Sequence, residues 1–333
     1  MQPTPESHSA VCAARSPMRP PGPFAPAVAG PPPLADHAPR LRPYDLAELL
    51  ALSIKPRGMV LDPVIPERAL AMLYAARGIG KTHVALGIAH AVACGLPFLA
   101  WRAPRRRRVL LLDGEMPAAA LRERLAAIVA GSGVAPPPGM LGVIAGDLVD
   151  GGIGDLATAA VQAEVEAQLT GFELLVLDNL SSLTSTPRED YSGWAPVQHW
   201  LLRLRRRGIS TLIVHHSGKD GEQRGTTRRE DMLDTTISLV RPCDYTAGQG
   251  ARFEVHVEKR RGLLGLEARS FEARLDTRDG RTRWTTHELI NVNGRRVAGL
   301  LNTGLSIRDV ARETGLSKSA VHRLKRMMVE ETT

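Results

Sequence analysis

The run Gly78-Ile79-Gly80-Lys81-Thr82 sets two glycines, a lysine and a hydroxyl residue where an apolar segment gives way to an alternation of small and apolar residues. Backbone N–H groups that converge at a helix start form an anion site, and glycine lets the chain approach that anion closely. The chemistry expected is the binding of a phosphorylated ligand by Ala76, Arg77, Gly78, Ile79, Gly80, Lys81, Thr82 and His83. Lys81 would reach the terminal phosphates, and the Thr82 hydroxyl would hold a magnesium ion. One position departs from the pattern G-x-x-x-x-G-K-[ST]: its first glycine is Ala75 here.

Hydrolysis of a nucleotide needs more than a phosphate cradle. It needs a carboxylate for the metal shell, a group that positions water, a sensor of the terminal phosphate, and positive charge for the transition state. Asp178 closes the apolar stretch Leu174–Leu177, where a carboxylate would face the metal across from Thr82; the alternative is an Asp that caps the following turn. Glu115 lies just past Leu111-Leu112-Asp113-Gly114, outside the carboxyl end of a strand, where ligands of parallel sheets bind. It is favoured over Asp113 to polarise the attacking water. His215 and His216 end a further apolar stretch. Neighbours on a strand point to opposite faces, so one would pack inward and the other, His216, would sense phosphate.

The elements that must hold these groups are legible in order. Half of the 24 prolines lie before residue 44, so residues 1–43 read as a disordered Pro/Ala-rich arm. Tyr44–Leu52 reads as a short amphipathic helix, and Ala69–Tyr74 as the strand entering the phosphate-binding loop. Lys81–Ala93 is a small-residue helix stopped at Cys94-Gly95. Arg105–Arg108 reads as a solvated basic loop, with contact to nucleic acid as its rival. Val109–Asp113, Glu173–Leu177 and Ile209–Val214 are continuous apolar strands of the kind buried on both faces. Helices fall between them, and Tyr191–Arg207 ends in arginines that suit its dipole. Strands at Thr235–Val240, Arg252–Glu258 and Glu267–Leu275 follow, with a turn at Asp279-Gly280. The fold class is therefore α/β, a mostly parallel sheet with an antiparallel extension.

The formal net charge of +8 points to a polyanionic partner, and an aromatic content of 4% argues against base stacking as the main contact. The three cysteines show no metal spacing. No stretch is long and apolar enough for a bilayer span, so no membrane association and a cytoplasmic location are expected.

Ala75–Thr82, Val109–Pro117, Leu175–Asn179 and Val214-His-His-Ser-Gly-Lys219 occur in this order. Together they resemble the RecA-like P-loop core of plasmid RepA-type hexameric replicative helicases, across about Tyr44 to Trp284. The resemblance implies a RecA-like ATPase domain over residues 44–290 with ATP and Mg2+ as cofactors. It implies Glu115 as catalytic carboxylate, Asp178 as the Walker B acid, and His216 as the link between phosphate and DNA-binding loops. Glu258-Lys-Arg-Arg-Gly262 resembles the Lys-x-Arg pattern of related DnaB-type helicases. By that likeness Lys259 and Arg261 would reach a neighbouring subunit's ATP site as sensor and arginine finger, with Arg260 the alternative finger. A finger acting in trans implies a homo-oligomer, a hexameric ring. Lys219, Arg224, Arg228 and Arg229 fall in a segment similar to the family's channel loop and would contact single-stranded DNA phosphates.

Ser306–Met328 is a separate signal. Ser306 with Asp309 makes a capping box, Ile307, Val310 and Ala311 an apolar face, Gly315 a turn, and Ser317 the cap of a second helix with Val321 and Leu324 inward. The segment 300–330 resembles a helix-turn-helix of the recombinase and sigma-factor type. Lys318, Ser319, His322 and Arg323 would then face the major groove of duplex DNA. So short a unit needs Leu300-Leu301, or a neighbour, to finish its core. The expected function is an ATP-dependent, DNA-associated motor of the RepA helicase kind in plasmid or mobile-element replication. The alternatives are a DNA-stimulated ATPase that does not unwind, and a nucleotide-switched DNA-binding regulator.

Overall fold

The computed structural model describes residues 42–185, 191–216, 232–260 and 269–330. The chain divides into two units, Met1–Lys55 and Pro56–Thr333. In the first, α1 (Leu46–Ala51) is capped by Asp45, which accepts the Glu48 N–H while Glu48 reaches back to the Asp45 N–H. The short amphipathic helix expected over Tyr44–Leu52 is thus present, and none of its residues is buried. The Pro/Ala-rich arm expected over residues 1–43 lies almost wholly outside the described residues.

The second unit is built on a nine-stranded sheet. The strands are β3 (Leu70–Ala75), β6 (Val109–Asp113), β7 (Leu141–Ala145), β8 (Leu174–Asp178), β9 (Ser210–His216), β10 (Thr235–Val240), β11 (Arg252–Arg260), β12 (Phe271–Arg278) and β13 (Arg281–Glu288). Their spatial order is β13-β12-β11-β10-β3-β9-β8-β6-β7. The six from β10 to β7 run parallel, and β11, β12 and β13 extend the sheet antiparallel. The expected α/β class, a mostly parallel sheet with an antiparallel extension, therefore holds, with one strand, β9, between the loop-bearing β3 and the Asp178 strand β8.

Continuous apolar strands arise because both faces are covered. Ala71, Leu73, Val109, Leu111, Leu174, Val176, Leu212 and Val214 join the core around α2 (Lys81–Cys94) and α3 (Ala118–Ser132). The alternate residues Leu70, Met72, Leu110, Leu112, Leu175, Leu177 and Ile213 join the core beneath α4 (Ala159–Gln168) and α5 (Tyr191–Arg206). The small-residue composition of α2 has a matching cause, since nearly every position from Val84 to Cys94 is buried and no side of it is left for water. The β12–β13 hairpin curls back over α3: Gly131 lies so near that a Cβ there would sit 1.9 Å from the Thr282 carbonyl oxygen. Trp284 of the hairpin makes edge contacts with Phe98 and Phe253 at 5.9 and 5.7 Å.

Several expectations change. The short pairs β1 (Met59–Leu61) with β2 (Ile65–Pro66), and β4 (Pro97–Phe98) with β5 (Trp101–Arg102), were hidden in Pro-punctuated sequence too short to show a period. Arg105–Arg108 is a solvated loop only in part: Arg105 and Arg106 are exposed, but Arg107 and Arg108 turn inward. Arg107 is buried and pairs with Glu67 at 2.5 Å and Glu173 at 2.6 Å, while Arg105 pairs with Glu173 at 2.7 Å. Arg108 donates to the Gly139 carbonyl and covers the Phe172 ring. These arginines tie the entry of β6 to the strands beside it. At the end of α5, Arg203 pairs with Glu166 and Arg205 with Asp234, so carboxylates as well as the dipole hold them.

The tail has three helices, α6 (Leu289–Asn302), α7 (Ile307–Thr314) and α8 (Lys318–Glu330). Val297, Val310, Val321 and Leu324 form its core, with Leu300 and Leu301 packed against them. The two-helix motif is thus completed by α6. The expected capping box is half formed: Ser306 Oγ accepts the Asp309 N–H, but the Asp309 carboxylate takes the Ser306 hydroxyl rather than its backbone N–H. Ser317 accepts the Ala320 N–H at the start of α8, as expected. Among the described residues no helix is long and apolar enough to cross a membrane.

Candidate functional site

The carboxyl ends of β3, β6, β8 and β9 meet the start of α2 around a cavity of about 410 Å3. Gly78, Gly80, Lys81, Thr82, His83, Glu115, Asp178 and His216 line it, so residues spread over more than a hundred positions of sequence face one space. Arg77 is exposed, Ile79 is buried in the core beside the loop, and the Ala76 carbonyl is bound by Lys81. Gly80 has φ +126, a conformation that side chains rarely adopt, and a Cβ there would lie 3.1 Å from Phe253. Ala75, in contrast, is the last residue of β3 and is buried. Its strand conformation accepts a methyl group, which accounts for the departure from glycine.

Lys81 is buried, and its ammonium donates to the Ala75 and Ala76 carbonyls, each at 2.9 Å. Burial lowers its pKa to about 8, against the opposing charges of Asp178 and Glu115. Burial likewise pushes Asp178 up to about 6; a hydrogen bond from Thr82 opposes this, and the nearby Asp113 and Glu115 reinforce it. Asp178 Oδ2 is buried with no hydrogen-bond partner. A carboxylate with a spare buried oxygen beside a threonine hydroxyl fits a hard cation such as Mg2+. His83 is lowered to about 4 by burial and the neighbouring Arg124, so it is neutral at physiological pH.

Register brings Asp113 on β6 directly opposite Asp178 on β8. Asp113 and Glu115, alternatives in sequence, have different surroundings. Asp113 is buried, and its Oδ1 accepts the N–H groups of Glu115 and Met116 at 3.0 and 2.7 Å. Glu115 is 60% exposed, and its Oε2 lies 3.8 Å from His216 Nε2. Asn179 bridges the two, donating from Nδ2 to Glu115 and lying 3.3 Å from His216 Nε2. Of the two histidines, His215 is buried and His216 lines the cavity, as alternation along β9 requires.

Four lining residues were not among the expected site residues: Asn179, Arg124, Met116 and Pro117. Arg124 had a signal, because it lies three residues beyond Leu121, the one buried residue of α3, and so shares its face. Lys259 lies near the end of β11 and is not among the cavity residues. Arg261 and the basic residues Lys219, Arg224, Arg228 and Arg229 lie outside the described residues. In the tail, Lys318, Ser319, His322 and Arg323 are all exposed on α8.

Comparison with known proteins supplies two family matches. Residues 35–222 match the AAA domain family, and residues 300–331 match the IclR helix-turn-helix domain. No curated protein matches the chain in sequence. Among solved structures, a KaiC-like protein of the hyperthermophilic archaeon Pyrococcus horikoshii OT3 superposes with TM-score 0.47 and 12% identity, covering 68% of this chain and 93% of that one.

Proposed function

The chain belongs to the AAA domain family, and on that premise we propose that it hydrolyses ATP to drive a DNA-associated motor of the RepA helicase kind, assembled as a hexameric ring. The observation that carries the reading is the Glu115–Asn179–His216 group facing Lys81 and Thr82 across one cavity. A site that only stored nucleotide would need the cradle but not a carboxylate held beside a histidine.

Lys81 would leave the Ala75 and Ala76 carbonyls to bind the terminal phosphates, which keep it charged in spite of its burial. Thr82 and Asp178 would hold Mg2+, which when bound neutralises phosphate charge. Glu115 would orient the attacking water and accept its proton, while Asp113 sets the turn that carries Glu115. Through Asn179, a shift of Glu115 or of the phosphate would reach His216 and the segment that follows β9. Lys219, Arg224, Arg228 and Arg229 in that segment would contact the phosphates of single-stranded DNA. Lys259 and Arg261 would act in a neighbouring subunit's site, and the process served is plasmid or mobile-element replication.

ATP turnover with and without single-stranded DNA, on wild type and Lys81→Ala, tests the site, and particle imaging with ATP tests the ring. DNA-stimulated turnover by rings, lost in Lys81→Ala, is expected. Turnover that persists in Lys81→Ala would overturn the site, and monomers under every nucleotide condition would overturn the ring.

The helix-turn-helix match favours a second reading, a nucleotide-switched regulator that binds duplex DNA through α8. Glu115→Gln separates the two: a motor loses its function with hydrolysis, whereas a switch keeps nucleotide-dependent duplex binding.

A further inference from the structure

The end of β10 touches both the phosphate-binding loop and the tail. Arg241 donates from Nη2 to the Gly78 carbonyl at 2.9 Å, and its guanidinium lies 3.8 Å from the centre of the Tyr245 ring. Three residues on, Asp244 is held from two sides. Its Oδ2 lies 3.1 Å from Arg252 of β11, and its Oδ1 lies 3.1 Å from Arg296 of α6, the first tail helix. Arg296 also pairs with Glu254 at 3.1 Å and Glu272 at 2.6 Å. Arg252 and Glu272 are buried and pair at 2.9 Å, so α6 is docked by a polar network with a buried centre and an exposed edge at Asp244.

We propose that the segment from Arg241 to Asp244 couples nucleotide binding to duplex binding by the helix-turn-helix, a device that rests on the ATP and DNA reading above. The loop around Gly78 is set for a ligand-free lysine: Lys81 is spent on the Ala75 and Ala76 carbonyls. An incoming phosphate draws off Lys81, turns the loop N–H groups to itself, and so moves the carbonyl that Arg241 holds. Asp244 is the member of the network able to follow, because its side chain is 46% exposed, whereas Glu272 is 9% exposed. A cavity of about 370 Å3 lies against Asp244 and Arg296, bounded by Cys243 and Gly299, so the segment has space to shift. Movement of Asp244 changes what Arg296 holds, and with it the seating of α6 under the duplex-binding helices. Coupling of this kind is reciprocal, so the duplex must change nucleotide affinity by the factor with which nucleotide changes duplex affinity.

The test uses the full chain, a fluorescent non-hydrolysable ATP analogue with Mg2+, and a mixed-sequence DNA duplex at low salt. Each ligand is titrated with and without the other. Wild type should show a coupling factor of about fivefold or more, equal in both directions. Asp244→Asn and Arg241→Gln should each bind both ligands with a factor near one, and Arg323→Glu should abolish the effect of duplex. Should Asp244→Asn fail to fold, Arg241→Gln carries the test. A factor of one in wild type overturns the inference, as does a wild-type factor in Arg241→Gln or a duplex effect that survives Arg323→Glu. Nucleotide hydrolysis with a factor of one leaves the ATPase reading standing, whereas absence of nucleotide binding removes both.

Discussion

Replacing Asp178 by asparagine should make the ligand-free protein more stable while abolishing magnesium-dependent hydrolysis. Asp178 is 3% exposed, and burial, with Asp113 and Glu115 close by, pushes its pKa from the ordinary 3.8 to about 6 despite Thr82 and Lys81. A carboxyl group whose folded pKa is raised contributes stability that is fully present below the unfolded value, about 3.8, and lost as pH rises through about 6. At about 1.36 kcal/mol per pH unit, the ionised carboxylate costs roughly 3 kcal/mol at pH 8 and about half that at pH 5. Asparagine has nearly the same shape and no charge to desolvate. Urea unfolding of wild type and Asp178→Asn, without nucleotide and with chelator, should therefore show the variant ahead by about 2–3 kcal/mol at pH 8 and by clearly less at pH 5. Saturating Mg2+ with a non-hydrolysable ATP analogue should narrow or reverse the difference, because only the carboxylate gains the ion. A variant no more stable than wild type at pH 8, or a difference that does not change with pH, would refute the reasoning that a desolvated charge is kept here for the metal.

Gly80→Ala should lower stability by about 1–3 kcal/mol in thermal unfolding and remove nucleotide binding, since φ is +126 and the new methyl meets Phe253. Ala75→Gly should leave nucleotide affinity within about twofold and cost about 1 kcal/mol for glycine in a strand; a tenfold gain in affinity would show that the departure matters. Arg107→Ala should destabilise the fold by about 1–3 kcal/mol in urea titration, because it removes a buried guanidinium bonded to Glu67 and Glu173 while Arg105 still holds Glu173. A loss below about 1 kcal/mol would mark those pairs as surface contacts.

What the sequence determined by itself was local chemistry. Gly78–Thr82 is a phosphate loop because neighbouring residues alone set its turn and helix start, and Ser306, Gly315 and Ser317 delimit the tail helices for the same reason. The apolar runs of β6, β8 and β9 announced buried strands, and Asp178, Glu115 and His216 could be singled out because each stands at a run's carboxyl end. Tertiary structure decided which ends meet. A strand that is apolar throughout carries no mark of its neighbour or of which core each residue joins, so the order β3-β9-β8-β6, and with it the Asp113–Asp178 register, had to come from packing. Packing also chose between Asp113 and Glu115 as the exposed carboxylate, and it drew Asn179 and Arg124 into the cavity. Arg107 reads as solvent-facing because its partners, Glu67 and Glu173, lie 40 and 66 residues away. Asp244 and Arg296 are equally distant in sequence terms. Charges find such partners only once the sheet has brought β10, β11 and α6 together, and a residue's own neighbours hold no record of that meeting.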